Sequence, residues 1–372
     1  MRPAVTELRL SAFRSHRRAT FPITPVTLFA GASGSGKSTV LRAYEALARL
    51  ASGAPLESVF DDPVSYVPER AAADAQGRRG FRIGCTADGP LGPVHLDVAI
   101  QAEPELRVVG ERLTWDGREL LTTALRDPGR SSVQAAWLTG GAAAVTRAPL
   151  PDDRLGTALL PLRVAGSTEG QLQVLAAAEQ LLVALRSVFA CDPQPVRMRR
   201  PAAPGDGRLR RGCDNLAEVL LRTRTECATR HAALVRALRD GCSGEVEDLA
   251  AHTRDDGTVR ALLARPEGRP DTPVERLGDG ELRFLALALV VLTGPGVLEV
   301  EQASEVPAAI QSLTVVADNL DRGLDRRQSS GLLRLAVMVV ERGHVRLTGA
   351  VGETGAQCAR EVEGVTVVDL EP

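Results

Sequence analysis

The residues best suited to chemistry lie in one glycine-rich segment near the N-terminus. Residues 31–38 read Gly-Ala-Ser-Gly-Ser-Gly-Lys-Ser, which matches the spacing G-x-x-x-x-G-K-S. Glycines at these positions let successive backbone N–H groups turn toward a phosphate, and a following helix adds the positive end of its dipole. Lys37 would reach the β- and γ-phosphates of a nucleotide, and the Ser38 hydroxyl would bind Mg²⁺. The predicted phosphate-binding residues are Gly31, Ala32, Ser33, Gly34, Ser35, Gly36, Lys37, Ser38 and Thr39.

Lys37 is distinctive because the rest of the chain contains no lysine. The sequence has 45 basic residues, and all except Lys37 are arginine. Abundant Ala, Gly, Pro, Val and Arg indicate GC-rich coding, which explains why lysine is rare but not where the remaining one lies. A guanidinium is a broad planar fork that fits a narrow phosphate cradle badly. The scarcity of lysine in the rest of the chain therefore strengthens the interpretation of Lys37 as a phosphate-binding residue.

Two elements must position this loop. The apolar run at residues 26–30 predicts a strand before it, and the pattern at residues 39–47 predicts a helix after it. Strand, loop and helix in this order are the context that the motif requires.

Two further segments carry a family resemblance. The opening strand ends in Phe13-Arg14-Ser15, and residues 277–281 read Leu-Gly-Asp-Gly-Glu before an apolar helix pattern. With the phosphate-binding loop, they resemble the RecF, SMC and OLD-nuclease branch of ABC-type ATPases, whose signature is Leu-Ser-Gly-Gly-Gln. The resemblance implies that Arg14 approaches the adenine or ribose of ATP. It also implies that the signature residues complete the γ-phosphate site of the opposite subunit. Those signature residues are Gly278, Asp279 and Gly280, and Gly278 replaces the hydroxyl-bearing serine of the family.

The resemblance also identifies a magnesium-binding acid. The β-rich run at residues 313–317 ends at Asp318, as a Walker B strand does, so Asp318 would hold Mg²⁺ together with Ser38. Residues 320–325 resemble the family's D-loop, with Asp325 near the dimer interface.

A second apolar run, at residues 297–301, lies closer to the signature. No D-loop resemblance follows it, so it is rejected as the Walker B strand. Residues 294–311 are predicted to form an additional hairpin or loop.

The hydrolytic residues depart from the family pattern. Asn319 stands where the family has a glutamate that activates water, and an amide cannot accept a proton. The family's switch histidine is absent from the end of the predicted strand at 345–348, because His344 precedes that strand. The Q-loop glutamine is unassigned between Gln134 and Gln171. Binding elements are therefore present, with Lys37, Asp318 and Asn319 as the catalytic candidates, and hydrolysis is expected to be slow.

The predicted fold is α/β: a three-layer P-loop NTPase sandwich of the ABC-ATPase head type, with an antiparallel β subdomain and a helical insertion. Residues 1–150 form the first lobe, 151–274 the helical insertion and 275–372 the second lobe. Residues 78–126 predict a strand meander. Helices are predicted from Leu172 to Leu185, from Asn215 to Leu238, and over 245–263 with an interruption at 255–257.

One loop is rich in arginine. The cluster consists of Arg197, Arg199, Arg200, Arg208, Arg210 and Arg211, interleaved with prolines. It is interpreted either as a solvated or acid-paired loop, or as a track for the phosphate backbone of DNA or RNA.

Composition excludes several other classes. The net charge of −2 gives no global attraction to nucleic acid, and 3% aromatic residues do not support a stacking platform. Six scattered cysteines and five histidines show no metal-site spacing and favour reduced thiols. No apolar run is long enough for a membrane helix, and Glu7 in the opening strand argues against a signal peptide. A cytoplasmic location is expected.

These observations together predict an ATP- and Mg²⁺-binding ABC-type ATPase head. By the resemblance, ATP joins two heads as a homodimer or heterodimer, which gates DNA or an effector in genome maintenance or phage defence. OLD proteins continue into a nuclease domain, so an effector here is expected to be a separate protein. The alternative is an ATP-sensing regulatory module without significant turnover.

Overall fold

A computed structural model describes residues 1–140, 144–300, 311–343 and 345–371. The strands are β1 (Ala4–Phe13), β2 (His16–Pro22), β3 (Val26–Ala30), β4 (Arg79–Asp88), β5 (Val94–Glu103), β6 (Arg107–Trp115), β7 (Arg118–Ala124), β8 (Ser132–Leu138), β9 (Val145–Pro151), β10 (Val188–Cys191), β11 (Asp248–Thr253), β12 (Val259–Ala264), β13 (Thr272–Pro273), β14 (Leu313–Ala317), β15 (Val345–Ala350) and β16 (Thr366–Asp369). The helices are α1 (Lys37–Ala51), α2 (Leu56–Val59), α3 (Gly156–Arg163), α4 (Glu169–Arg186), α5 (Pro195–Met198), α6 (Leu216–Glu226), α7 (Ala228–Gly241), α8 (Asp279–Leu292), α9 (Arg326–Val340) and α10 (Glu353–Arg360).

The described residues form two compact units. The first contains residues 1–23, 35–140, 144–187 and 311–312, and the second contains residues 24–34, 188–300, 313–343 and 345–371.

The first unit is built on an eight-stranded antiparallel sheet. Its strand order is β2-β1-β4-β5-β6-β7-β8-β9, so the predicted meander is confirmed. Helix α4 packs on one face of this sheet, where the buried Gln180 side chain donates to the carbonyls of Ala87 and Gly92. Four rings, those of Phe13, Phe60, Tyr66 and Phe81, form an aromatic cluster in its core.

The second unit is built on a five-stranded parallel sheet. Its order is β10-β14-β15-β3-β16, and every neighbouring pair is parallel. All residues of β3 and β14 are buried, as expected for central strands of a parallel sheet that is covered on both faces. Helices α8 and α9 contribute their apolar faces to the core around these strands.

Two helix predictions in this unit are corrected. The predicted helix over 245–263 is wrong, since β11 and β12 form an antiparallel hairpin there. Its turn includes Gly257 with φ 79°, and burial in β12 alternates residue by residue, which is the period of a strand. The predicted helix at Asn215–Leu238 is two helices, because Cys227 has non-helical φ and ψ of −152° and 89° between α6 and α7.

The predicted insertion at residues 151–274 thus contains helices α3–α7 together with strands β10–β13. Among the described helices, none is both long and apolar enough to span a membrane.

Candidate nucleotide-binding site

The glycine-rich loop follows β3 and leads into α1, as predicted. Gly31, Gly34 and Gly36 have φ angles of 145°, 86° and 93°, a backbone region that side chains with a Cβ rarely adopt. Helix α1 begins at Lys37, directly after the loop, so the positive end of its dipole lies there. A helix N-terminus is a favourable environment for an anion.

Side chains of the loop differ in accessibility. Ser33 is exposed, and Lys37 and Ser38 are partly exposed. Ser35 is buried, and its Oγ atom has no hydrogen-bond partner in the described part of the chain. Its hydroxyl is closed off from solvent, so contact between Ser35 and phosphate would come from its backbone N–H.

Arg14 lies in the turn between β1 and β2 with φ 51°. Its backbone N–H donates to the Tyr66 carbonyl at 2.8 Å, and its guanidinium carbon lies 4.7 Å from the Tyr66 ring centroid. This cation–π contact fixes the guanidinium against the first unit. The role of Arg14 at adenine or ribose stays a prediction.

One functional candidate was not predicted. His16 opens β2, and its Nε2 atom lies 3.2 Å from the Gly36 carbonyl oxygen. The sequence presents His16 directly after Phe13-Arg14-Ser15, but no local signal connects it with a loop residue twenty positions away.

The predicted magnesium ligand lies at the carboxyl edge of the parallel sheet. Asp318 directly follows β14, and Gly31 directly follows β3, with β15 between the two strands. Parallel strands end at the same edge of their sheet, which is where α/β proteins form ligand sites. Asp318 is partly exposed, and one carboxylate oxygen, Oδ1, accepts the Asn319 N–H at 2.9 Å.

Asn319 is held by its backbone. It has φ 49°, a conformation that asparagine tolerates better than most residues. Its carbonyl accepts a hydrogen bond of 3.1 Å from the buried Arg283 guanidinium of α8, and burial lowers the pKa of Arg283. The Asn319 residue itself is exposed, so its amide can contact a ligand or water.

The predicted signature forms the start of α8. Glu281 accepts the Gly278 N–H at 3.2 Å and the Ser243 N–H at 2.7 Å. Arg199 donates to the Leu277 carbonyl at 2.9 Å and to the Asp279 carboxylate at 2.6 Å. The negative charge of Asp279 is therefore offset by an arginine from another segment.

The signature packs directly on the segment that resembles a D-loop. A Cβ atom on Gly280 would lie 2.1 Å from the Gly323 carbonyl oxygen, so the two backbones touch. Asp325, the predicted dimer-interface residue, is the N-cap of α9 and accepts the Gln328 N–H at 2.7 Å. The structure thus brings signature and D-loop segment together.

Gly280→Ala is expected to destabilise the second unit by about 1–3 kcal/mol, because the added methyl group overlaps a backbone oxygen that cannot move away as a side chain would. Gly278→Ala is the matched control. It has extended φ and ψ, and its Cβ would lie 3.8 Å from the nearest atom. Chemical denaturation measures the free energy of unfolding of both variants. Equal values for Gly280→Ala and Gly278→Ala would contradict the prediction.

The arginine cluster is divided by its contacts. Arg199 is bound to the signature, and Arg210 pairs with Asp214 at 2.6 Å. Arg197, Arg200, Arg208, Arg210 and Arg211 are exposed. Acid pairing therefore explains part of the cluster.

The remaining predictions have separate outcomes. Gln134 lies on β8 and Gln171 on α4, both in the first unit, and neither is assigned as the Q-loop residue. His344 lies outside the described residues. The rejected run at 297–301 contributes no residue to the parallel sheet in its described part, where Leu298 forms only an isolated bridge with Leu209.

Similarity of this chain to known proteins lies in its fold. No protein-family model and no curated protein matches the sequence. Among solved structures, an SMC head bound to the C-winged helix domain of ScpA matches with a TM-score of 0.50 and 12% identity, over 94% of this chain and 90% of that chain.

Two further SMC heads match at lower similarity. The SMC head domain from Thermotoga maritima has a TM-score of 0.46 and 13% identity, over 98% of this chain and 94% of that chain. An SMC head with an extended coiled coil, bound to the C-terminal domain of ScpA derived from Pyrococcus furiosus, has a TM-score of 0.45 and 12% identity, over 99% and 94%. The likeness to the first structure confirms the predicted fold class, and the chain has the fold of the ABC-ATPase head of SMC proteins.

Proposed function

We propose that this chain is an ATP- and Mg²⁺-binding ABC-type head that dimerises on ATP. The observation that carries the proposal is the loop around Lys37, with three glycines at positive φ before the first turn of α1. Its backbone N–H groups and Lys37 would bind the phosphates. Ser38 and Asp318 would hold Mg²⁺, which shields phosphate charge when bound.

The second half of each site would come from the other head. The signature residues Gly278, Asp279 and Gly280 would approach the γ-phosphate of the partner's nucleotide, with Asp325 near the dimer interface. The start of α8 supports this, because it presents a helix N-terminus at which Arg199 offsets the Asp279 charge.

Hydrolysis by this head would be slow. Asn319 can orient a water molecule through its amide oxygen but cannot remove a proton from it. Loss of a general base costs typically 10²–10⁴-fold in rate. The slow rate of ATP hydrolysis would then set the lifetime of the dimer.

The same residue favours a second candidate function. A head with Asn319 and no assigned switch histidine would serve as an ATP-sensing regulatory module, in which binding alone changes the assembly. Lys37, Ser38 and Asp318 are compatible with both functions.

The dimer would gate contact with DNA or with an effector protein, in the genome-maintenance or phage-defence settings that the family resemblance implies. The SMC head matched with a TM-score of 0.50 was solved bound to the C-winged helix domain of ScpA, which supports a protein partner. The exposed arginines at 197, 200, 208, 210 and 211 support an anionic partner such as DNA.

Sedimentation velocity with and without ATP and Mg²⁺ tests the ATP-driven dimer. The protein is expected to sediment as a monomer without nucleotide or with ADP, and as a dimer with ATP. Gly278→Val is expected to block dimerisation while ATP binding persists, since position 278 has open space and extended backbone. Gly278→Ser, which restores the family's hydroxyl, is expected to dimerise with ATP as the wild type does. A monomer with saturating ATP would contradict the dimer.

A further inference from the structure

His16 joins the β1–β2 hairpin to the start of α1. Its Nε2 atom lies 3.2 Å from the Gly36 carbonyl oxygen, which also accepts the N–H groups of Thr39 at 3.0 Å and Val40 at 3.2 Å. A carbonyl oxygen only accepts, so Nε2 carries the hydrogen in this contact. His16 therefore donates to the first carbonyl of the helix.

The imidazole has little freedom to move. A Cβ atom on Gly36 would lie 2.5 Å from His16 Nε2 and 2.7 Å from Ser15 Oγ, so the hairpin sits directly on the glycine. The His16 ring also packs edge-to-face on the buried Phe21, with centroids 5.2 Å apart. Contacts with Phe21 and Gly36 therefore restrict the ring.

Fixing this carbonyl also fixes the next N–H group. The peptide unit between Gly36 and Lys37 is planar, and in the trans form its C=O and N–H point in opposite directions. With the Gly36 oxygen held toward the hairpin, the Lys37 N–H is held on the opposite side.

We propose that His16 is a positioning residue for phosphate binding, which orients the Gly36–Lys37 peptide through its hydrogen bond to the Gly36 carbonyl. The inference rests on the proposed nucleotide site. It assigns His16 no contact with the nucleotide, so its effect passes through the backbone of the loop.

The protonation state of His16 agrees with an orienting role. Burial lowers the pKa of its imidazole, so the ring is neutral near pH 7. A neutral imidazole donates one hydrogen bond and adds no charge to the site.

The test measures ATP·Mg²⁺ affinity in His16→Ala, His16→Gln and Thr20→Ala. The glutamine Nε2 donates from about the same position as the histidine Nε2, and Thr20 is an exposed residue on the same strand. We expect about 10-fold weaker binding for His16→Ala, on the scale of one hydrogen bond, with recovery in His16→Gln and no change in Thr20→Ala. The ³¹P resonance of the β-phosphate in bound ADP is expected to shift in His16→Ala at saturation and to return in His16→Gln.

Lys37→Ala separates the two claims. If Lys37→Ala loses ATP and both His16 variants bind like wild type with an unshifted β-phosphate resonance, the positioning role is wrong and the nucleotide site stands. If Lys37→Ala binds ATP like wild type, the proposed function itself fails. An equal loss of ATP·Mg²⁺ affinity in His16→Ala and His16→Gln would overturn the role of the hydrogen bond. If His16→Ala does not fold, His16→Leu takes its place: weaker binding and a shifted resonance in His16→Leu, with recovery in His16→Gln, support the proposal, and wild-type values in both variants overturn it.

Discussion

Lys37→Ala is expected to weaken ATP·Mg²⁺ binding by about 10- to 150-fold, because a charge-assisted hydrogen bond to phosphate is worth roughly 1.5–3 kcal/mol and each 1.4 kcal/mol is tenfold in affinity. Lys37 is the first residue of α1, and no other residue of the loop at 31–38 carries a positive charge that could replace it. Isothermal titration with ATP measures the change directly.

Arg42→Ala is the matched control for this experiment. Arg42 lies on the same helix, is exposed and carries the same charge, so its removal tests general electrostatics alone. It is expected to bind ATP within about twofold of wild type, since Arg42 lies more than one helical turn from Lys37 and the charge of an exposed side chain is screened by salt. Equal losses in the two variants would show that Lys37 acts only through net charge.

Asn319→Glu is expected to raise ATP turnover by about 10²-fold. A carboxylate at this position supplies the general base that the amide cannot, and such a base contributes typically 10²–10⁴-fold. The lower end is expected because Asn319 has φ 49°, and glutamate adopts this left-handed conformation at a cost of about 1 kcal/mol. Release of phosphate at saturating ATP is the measurement.

Asn319→Gln provides the comparison for the glutamate variant. Glutamine has the length of glutamate and the same unfavourable φ but accepts no proton, so its turnover is expected to stay at or below that of wild type. If glutamate and glutamine give equal rates, the missing base is not what limits hydrolysis, and the regulatory-module alternative gains support.

The elements around the loop were predictable because their signals are local. Residues 26–30 form an apolar run that becomes β3, and the glycine spacing and Lys37 mark the loop and the start of α1. The strand meander at 78–126 was also predicted, since alternation and turn residues repeat along it.

The β11–β12 hairpin was missed for a physical reason. Its apolar residues are few and fit both a helical and a strand period over so short a segment. Whether such a segment pairs as strands is decided by the surface that it packs on, here helix α6.

Contacts between segments that are distant in sequence could not be predicted from local sequence patterns. The Gly280 approach to Gly323, the Arg199 pair with Asp279 and the His16 bond to Gly36 each join residues far apart in sequence. The sequence predicts which residues would carry the chemistry, and only the packed structure shows which distant residues contact them.

The most direct test of nucleotide binding is a titration of the wild-type chain with ATP in the presence of Mg²⁺, read by calorimetry. We expect one ATP bound per chain, with affinity lost when Mg²⁺ is chelated, because Ser38 and Asp318 are proposed to act through the metal. No saturable binding at millimolar ATP would contradict the assignment of the loop around Lys37 as a nucleotide site.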